Sequence, residues 1–380
     1  MPDRIHALTM PKWGLTMEEG TVAEWEVAEG DTIAEGDEVV LIETSKIAGS
    51  LESPFSGVLR KIVAQPGDVL PVGALLAVVT DAEVDPSVVD DFITEFQANF
   101  VPEEASEGEA AAVAQTVEVH GKRLSYVLTS PDDGNGATPV LLLHGFGGDA
   151  NAWLFNAADL AKDRSVYALD LPGHGASSKD VGDGTLDAFT RAVVGFLDAL
   201  HIAKAHFVAH SLGGAIALSV ATTHPERVAS LALLSTCGLG EGINREFIEG
   251  FIAAQRRKEI KPVLQQLFAN PDLVTRDMIA DVLKFKRLDG VPDALRKIAD
   301  AFFPDGTQAV QFRDQLNGLD QPILVIWGAK DSIVDPAGTK GLPPSIEIHV
   351  LNDVGHMPQM EGAHDVNRLI HAHLDAADNR

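Results

Sequence analysis

Residues 206–214, His-Phe-Val-Ala-His-Ser-Leu-Gly-Gly, set one serine among small residues directly after a short apolar run. That run reads as a buried strand. The Ala215-Ile216-Ala217-Leu218-Ser219-Val220-Ala221 that follows has the apolar density and the alanines of a packed helix. Ser211 therefore falls on a sharp strand-to-helix turn, which pushes its hydroxyl outward. So tight a turn needs small neighbours two residues to either side, where a larger side chain would strike backbone, and Ala209 and Gly213 stand there. The pattern is G-x-S-x-G with one methyl added. Taken alone it also fits an ordinary turn serine, and the surrounding chain decides between the two.

From residue 113 to 380, short apolar runs alternate with helical stretches. The runs are Val140-Leu141-Leu142-Leu143, Ser165-Val166-Tyr167-Ala168-Leu169, Ala205-His206-Phe207-Val208, Ser230-Leu231-Ala232-Leu233-Leu234 and Pro322-Ile323-Leu324-Val325-Ile326. Continuous apolar strands separated by helices predict a parallel sheet covered on both faces. Reactive groups then gather beyond the carboxyl ends of its strands. His144-Gly145-Phe146-Gly147-Gly148 follows the first run, Asp170-Leu171-Pro172-Gly173-His174-Gly175 the second and Ser211 the third; Trp327-Gly328-Ala329-Lys330-Asp331 follows the fifth, and Gly355-His356 a last strand over residues 346–351. Between about 238 and 320 the pattern is helical, around 245–257, 263–268, 277–286 and 293–302, which predicts a cap over the site. The cap carries Arg256, Arg257, Lys258, Lys284, Lys286, Arg287, Arg296 and Lys297, which fit either a solvated helix face or a site for a phosphate-bearing substrate.

These five motifs in this order resemble the α/β-hydrolase fold, and Ser211, Asp331, His356 is the chain order of that family's triad. The resemblance implies that His356 takes the Ser211 proton as the hydroxyl attacks a carbonyl. Asp331 would fix the imidazole tautomer, and the backbone N–H groups of Phe146 and Leu212 would hold the developing oxyanion. Asp335 is a rival for Asp331. His364, His371 and His373 are rivals for His356, but they fall on a terminal helical pattern expected to be solvated. His144 and His174 read as structural turn residues, and Cys237 as a small buried hydrophobe after a strand. A serine nucleophile excludes epoxide hydrolase and haloalkane dehalogenase chemistry, which needs aspartate there, and leaves ester or thioester chemistry.

Residues 1–80 contain a repeat at a spacing of 37: Gly30-Asp31-Thr32-Ile33 with Gly36 recurs as Gly67-Asp68-Val69-Leu70 with Gly73. Each copy leads into a strand-like apolar run, which predicts two similar β halves packed face to face, an all-β sandwich. Glu43-Thr44-Ser45-Lys46-Ile47-Ala48-Gly49 places one lysine at a hairpin apex without a counterpart in the second half. With Met10-Pro11-Lys12-Trp13-Gly14 and Ser53-Pro54-Phe55-Ser56-Gly57, the segment resembles the lipoyl domains of 2-oxo acid dehydrogenase complexes. The resemblance implies a lipoyl group in amide linkage on Lys46. Biotin carriers of that fold usually flank the lysine with methionines, which Ser45 and Ile47 are not; the lipoyl family more often has aspartate where Ser45 stands. Residues 81–112 hold ten acidic residues and no basic one, the composition of an extended linker. Within them Asp85-Pro86 opens a short amphipathic helix with Val88, Val89, Phe92 and Phe96 on one face, suited to packing on a neighbouring domain or docking a partner enzyme.

A formal net charge of −27 on 380 residues argues against nucleic acid and anionic membrane as partners. One cysteine permits no internal disulfide, and no basic-then-apolar leader opens the sequence, so a cytoplasmic setting is expected. A lipoyl-like domain joined to an α/β-hydrolase-like domain resembles the acyltransferase (E2) subunit of acetoin dehydrogenase complexes. That resemblance implies a thiamine diphosphate-dependent E1 that loads acetyl onto the Lys46 arm, transfer through Ser211 to coenzyme A, and a dihydrolipoamide dehydrogenase (E3) that reoxidises the arm. A homo-oligomeric assembly is compatible with it, and no metal is called for. Two other readings stay open: a thioesterase or esterase tethered by the lipoyl domain, and a lipoyl carrier with an inert hydrolase-like scaffold. The H-x-x-x-D pattern of ordinary E2 cores occurs twice, at His371/Asp375 and His349/Asp353, without the glycine that usually follows it.

Overall fold

The computed structural model describes residues 5–11, 19–44, 48–80, 84–100, 114–131 and 136–380. Contacts divide the chain into two compact units, residues 1–111 and 112–380. The first holds β1 (Ile5–Thr9), β2 (Glu19–Trp25), β3 (Thr32–Ile33), β4 (Glu38–Glu43), β5 (Ala48–Glu52), β6 (Gly57–Ile62), β7 (Val69–Pro71) and β8 (Leu75–Thr80). They pair antiparallel in two four-stranded sheets, β1-β8-β6-β3 and β5-β4-β2-β7. Leu8, Val22, Ile33, Val40, Ile42, Leu59, Leu76 and Val79 bury a single core drawn from both sheets. The repeat is visible in the hydrogen bonds. Gly30 N–H donates to the Leu59 carbonyl and Gly67 N–H to that of Val22, each at 2.7 Å, while Leu59 and Val22 N–H donate to the carbonyls of Asp31 and Asp68 at 2.9 Å. Each residue of one set has its counterpart 37 residues away in the other. β4 and β5 pair with Glu43 opposite Ala48; Ser45, Lys46 and Ile47 between them, and residues 12–14 of the first motif, lie outside the described residues.

α1 (Pro86–Asn99) begins where Asp85 accepts the Ser87 N–H at 2.9 Å, with Pro86 at its first position. Val89, Phe92, Ile93 and Phe96 pack against Ile5, Ala7, Leu75 and Val78 of the β1–β8 pair. β8 is thereby buried along its whole length. Val88, expected on this face, is exposed: a stripe through Val89, Phe92 and Phe96 continues through residue 93, four after 89, and leaves residue 88 to one side. Packed chain therefore continues past residue 80 and belongs to the carrier unit, and residues 81–83 and 101–112 of the expected linker lie outside the described residues.

In the second unit β9 (Gln115–Val119), β10 (Lys122–Thr129), β11 (Val140–Leu143), α2 (Ala157–Leu160), β12 (Val166–Leu169), α3 (Leu186–Ala199), β13 (Ala205–His210), α4 (Leu212–Thr223) and β14 (Val228–Leu234) come first. Four cap helices follow, α5 (Arg245–Ala253), α6 (Arg257–Leu264), α7 (Arg276–Lys286) and α8 (Val291–Phe302), then β15 (Ile323–Gly328), β16 (Glu347–Leu351), α9 (Pro358–Glu361) and α10 (Ala363–Asp378). The sheet order is β16-β15-β14-β13-β11-β12-β10-β9, parallel from β16 to β12 and antiparallel at β10 and β9. Alternate residues serve opposite faces: Leu142, Val208 and Ile326 pack with Val366, Ile370 and Leu374 of α10, and Leu141, Phe207 and Val325 with α3 and α4. The helix expected over 245–257 breaks after Ala253. There the buried Lys286 ammonium donates to the carbonyls of Phe251 and Ala254, satisfying acceptors that the helix end leaves open. Among the described residues no helix is long and apolar enough to cross a membrane.

Candidate active site

β13 is buried throughout and delivers Ser211 with φ +52° and ψ −117°, a conformation costly for a residue with a side chain. The strain is held by flanking backbone bonds: Ser211 N–H donates to the Leu234 carbonyl and Cys237 N–H to the Ser211 carbonyl, both at 3.0 Å. Gly213 answers the need for a small residue, since a Cβ there would come within 2.4 Å of the Leu143 carbonyl oxygen. The Ser211 Oγ lies 3.8 Å from the Cys237 Sγ. Burial pushes that thiol up to about 12, so Cys237 is an apolar neighbour rather than a thiolate.

The loops after β15 and β16 meet through backbone, Ala329 N–H reaching the Leu351 carbonyl at 2.8 Å and Lys330 N–H that of Val354 at 2.9 Å. Across this junction His356 Nδ1 donates to Asp331 Oδ2 at 2.9 Å. The other lone pairs of the carboxylate are filled as well: Oδ2 accepts Trp327 Nε1–H at 3.0 Å, and Oδ1 accepts the N–H groups of Ile333 and Val334 at 2.8 and 3.0 Å. Burial alone would raise the Asp331 carboxyl, but the charge and hydrogen bond of His356 and the two backbone N–H groups outweigh it and hold the group below its usual range. Asp335 spends its carboxylate as the cap of a short turn, accepting Ala337 N–H at 2.8 Å. Ser211, His356 and Asp331 are 4 %, 2 % and 8 % exposed, a site nearly closed to solvent.

The loop after β11 carries Phe146, one of the two residues expected to offer an N–H to an oxyanion. The Phe146 N–H makes no hydrogen bond among the described residues, and Leu212 opens α4, where amide groups lack partners inside the helix. His144 and His174 hold this loop as structural residues. His144 accepts Leu171 N–H at 3.0 Å and donates to the Gly145 carbonyl at 2.8 Å; His174 accepts Gly147 N–H and donates to the Pro172 carbonyl, both at 3.0 Å. Burial lowers the pKa of both, which keeps them neutral. Above them Phe146 packs edge-on against His174, Phe251 and Phe303 at centroid distances of 6.3, 5.9 and 6.1 Å. Phe251 presses so close to Gly147 that a Cβ there would sit 2.5 Å from the ring.

Residues 138–363 match the alpha/beta hydrolase fold family, and residues 6–79 the carrier family described as biotin-requiring enzyme. The meta-cleavage product hydrolase of Pseudomonas fluorescens IP01 superposes with a TM-score of 0.63 at 22% identity, over 70% of this chain and 99% of that one, a likeness of fold alone. At full length the chain is 50% identical to the dihydrolipoyllysine-residue acetyltransferase component of the acetoin cleaving system of Pseudomonas putida, covering 98% of this chain and 99% of that protein. It is 44% identical to the component of the same description from Cupriavidus necator, over 97% and 96% of the two chains. The chain belongs to this family of acetyltransferase components. Its two halves are those the sequence implies, a lipoyl-type β carrier and an α/β-hydrolase fold.

In this acetyltransferase component the rival histidines are placed differently from the expectation. His371 is half-buried and bonds Asp159 at 2.9 Å, and His373 is buried; only His364 is exposed. Residue 373 lies three after Ile370, on the stripe that α10 turns to the sheet, and the sequence pattern of a terminal helix did not register that face. The cap cations are of two kinds. Arg256 pairs with Glu259, Arg296 with Glu249, Lys286 is buried on α5, and Lys297 reaches the Gly182 carbonyl at 3.4 Å. Arg257, Lys258, Lys284 and Arg287 are exposed and make no ion pair among the described residues. Nothing local in the sequence marks His210, whose contact is made 146 residues away.

Proposed function

We propose that the chain transfers an acetyl group from a lipoyl arm on Lys46 to coenzyme A through an acyl-Ser211 intermediate, as the E2 component of an acetoin-cleaving complex. One observation carries the reading: the full-length likeness to two acetyltransferase components, in a chain where Asp331 holds the His356 imidazole and that ring lies 4.7 Å from His210, the residue before Ser211. The carrier suits such a group: the residues that include Lys46 join β4 to β5, which pair with Glu43 opposite Ala48. When attached, the lipoyl group supplies the thiol that holds acetyl as a thioester. Ser211 Oγ attacks the thioester carbonyl while His356 Nε2 takes the hydroxyl proton, and the N–H groups of Phe146 and Leu212 bind the oxyanion. His356 then returns that proton to the departing sulfur. In the second half His356 takes the proton of the coenzyme A thiol, the sulfur attacks the acyl-serine carbonyl, and Ser211 leaves with the proton restored. Asp331 keeps Nδ1 protonated and stabilises the imidazolium in both halves. Transfer rather than hydrolysis requires water to be kept from the ester, which the apolar roof of Phe146, Phe251 and Phe303 and the low exposure of Ser211 support. A thiamine diphosphate-dependent enzyme would load the arm and a dihydrolipoamide dehydrogenase would reoxidise it.

The exposed cations suit the phosphates of coenzyme A. Lys286 ties the end of α7, where Lys284 and Arg287 stand, to the end of α5, and α6 opens soon after with Arg257 and Lys258. Reversing Arg257, Lys258 and Arg287 to glutamate is expected to raise KM for coenzyme A about tenfold, the scale of a few surface charge contacts. KM for pantetheine, which presents the same thiol without phosphates, should not move. Steady-state kinetics with both acceptors check this, and an equal change for the two would remove the cap cations from substrate binding.

A further inference from the structure

His210 has no part in the steps above. It ends β13 immediately before Ser211 and is 3 % exposed. Its Nε2–H donates to the backbone carbonyl of His356 at 2.8 Å, and the two imidazole rings lie 4.7 Å apart with their planes at 56°. The tautomer follows from the contact, since a ring carrying its proton on Nδ1 would oppose two lone pairs at that distance. Nδ1 is then a bare acceptor, buried and without a partner. It faces Gly145, where a Cβ would come within 2.9 Å of it and 3.0 Å of Ser211 Cβ. A buried acceptor left unpaired costs stability that an apolar side chain would not, so the residue earns its place through its other nitrogen.

The hydrogen bonds around His356 show what that nitrogen does. The base segment is tied to the acid loop by Lys330 N–H to the Val354 carbonyl. It is tied to the cap by His356 N–H to the Leu267 carbonyl at 2.8 Å and by Glu361, which accepts Gly355 N–H at 2.8 Å and Ala269 N–H at 2.7 Å. Among the described residues, the His210 bond is the one that joins this segment to the strand carrying the nucleophile.

We propose that His210 is a positioning residue for acyl transfer: its Nε2–H fixes the His356 main chain to the Ser211 strand, so that base and nucleophile keep one frame of reference. Burial, with His356 beside it, pushes the pKa of His210 down to about 3. The ring therefore stays neutral when His356 takes the proton and adds no repulsion to the imidazolium. The proposal rests on Ser211 and His356 acting as nucleophile and base, and applies whether the acceptor is coenzyme A or water.

His210→Phe keeps a ring and discards the donor, while His210→Gln keeps a donor; His210→Met matches glutamine in length without one. In full-length lipoylated protein, the phenylalanine and methionine variants should lose about 10- to 100-fold in kcat, the scale of a misplaced catalytic group. KM should be unchanged and the acid limb of the kcat/KM profile unmoved, because a neutral residue contributes no charge. The glutamine variant should recover most of kcat. The same ranking is expected for p-nitrophenyl acetate cleavage, which needs no coenzyme A, so failure of the transferase reading would leave this result standing. Thermal unfolding run alongside separates folding losses from catalytic ones. A glutamine variant no better than methionine, or a phenylalanine variant as fast as the unaltered protein, overturns the proposal, as does an acid limb that moves.

Discussion

Replacing Ser211 by alanine is expected to lower acetyl-CoA formation by about 10⁴-fold or more, the loss typical when a nucleophile that works with its base as a unit is removed. The fold should tolerate the change. Alanine keeps the Cβ and meets the same strained φ of +52°, the bonds from Ser211 N–H to Leu234 and from Cys237 N–H to the Ser211 carbonyl are backbone bonds, and among the described residues the lost hydroxyl's hydrogen-bond partner is a sulfur 3.8 Å away. An unchanged thermal midpoint with abolished turnover therefore assigns the loss to chemistry. Undiminished turnover would return the second unit to the role of an inert scaffold. Cys237 gives no bypass, because its thiol is held far from ionisation next to the empty position.

Replacing Lys46 by arginine is expected to bring the activity of the assembled complex to background while leaving Ser211-dependent cleavage of small esters intact. The guanidinium keeps the positive charge but is not a substrate for amide attachment, so no arm is present to carry acetyl. The substitution lies in the unit of residues 1–111, whereas Ser211, Asp331 and His356 all lie in residues 112–380. Mass spectrometry of the intact protein reads the missing lipoyl group directly, and p-nitrophenyl acetate turnover reads the hydrolase-fold unit alone. Loss of both activities would contradict the division of labour between the two units.

The parts of this molecule that could be read in the sequence are those with local causes. The apolar runs at 140–143 and 322–326 become strands because nothing polar interrupts them, and Ser211 announces its turn through Ala209 and Gly213. The 37-residue repeat likewise reappears as equivalent hydrogen bonds, from Gly30 N–H to the Leu59 carbonyl and from Gly67 N–H to that of Val22. What escaped depended on contacts distant in sequence. The apolar face of α1 shows that it packs on something, but not that Leu75 and Val78 of β8 receive it. His373 joins the buried face of α10 only because the sheet lies there, and Lys286 looked like one more surface cation until the end of α5 enclosed it. His210 is the sharpest case. Within its own strand it is a polar residue among apolar ones, and the carbonyl it bonds belongs to His356, 146 residues on.

The measurement that bears most directly on acyl transfer mixes full-length protein, acetylated on the reduced lipoyl arm, with coenzyme A and follows acetyl-CoA and free acetate by mass spectrometry, with Ser211→Ala as control. Acetyl-CoA as the main product, dependent on Ser211, is the predicted result. Free acetate as the main product, whether or not coenzyme A is present, would contradict it and make the protein a carrier-tethered thioesterase.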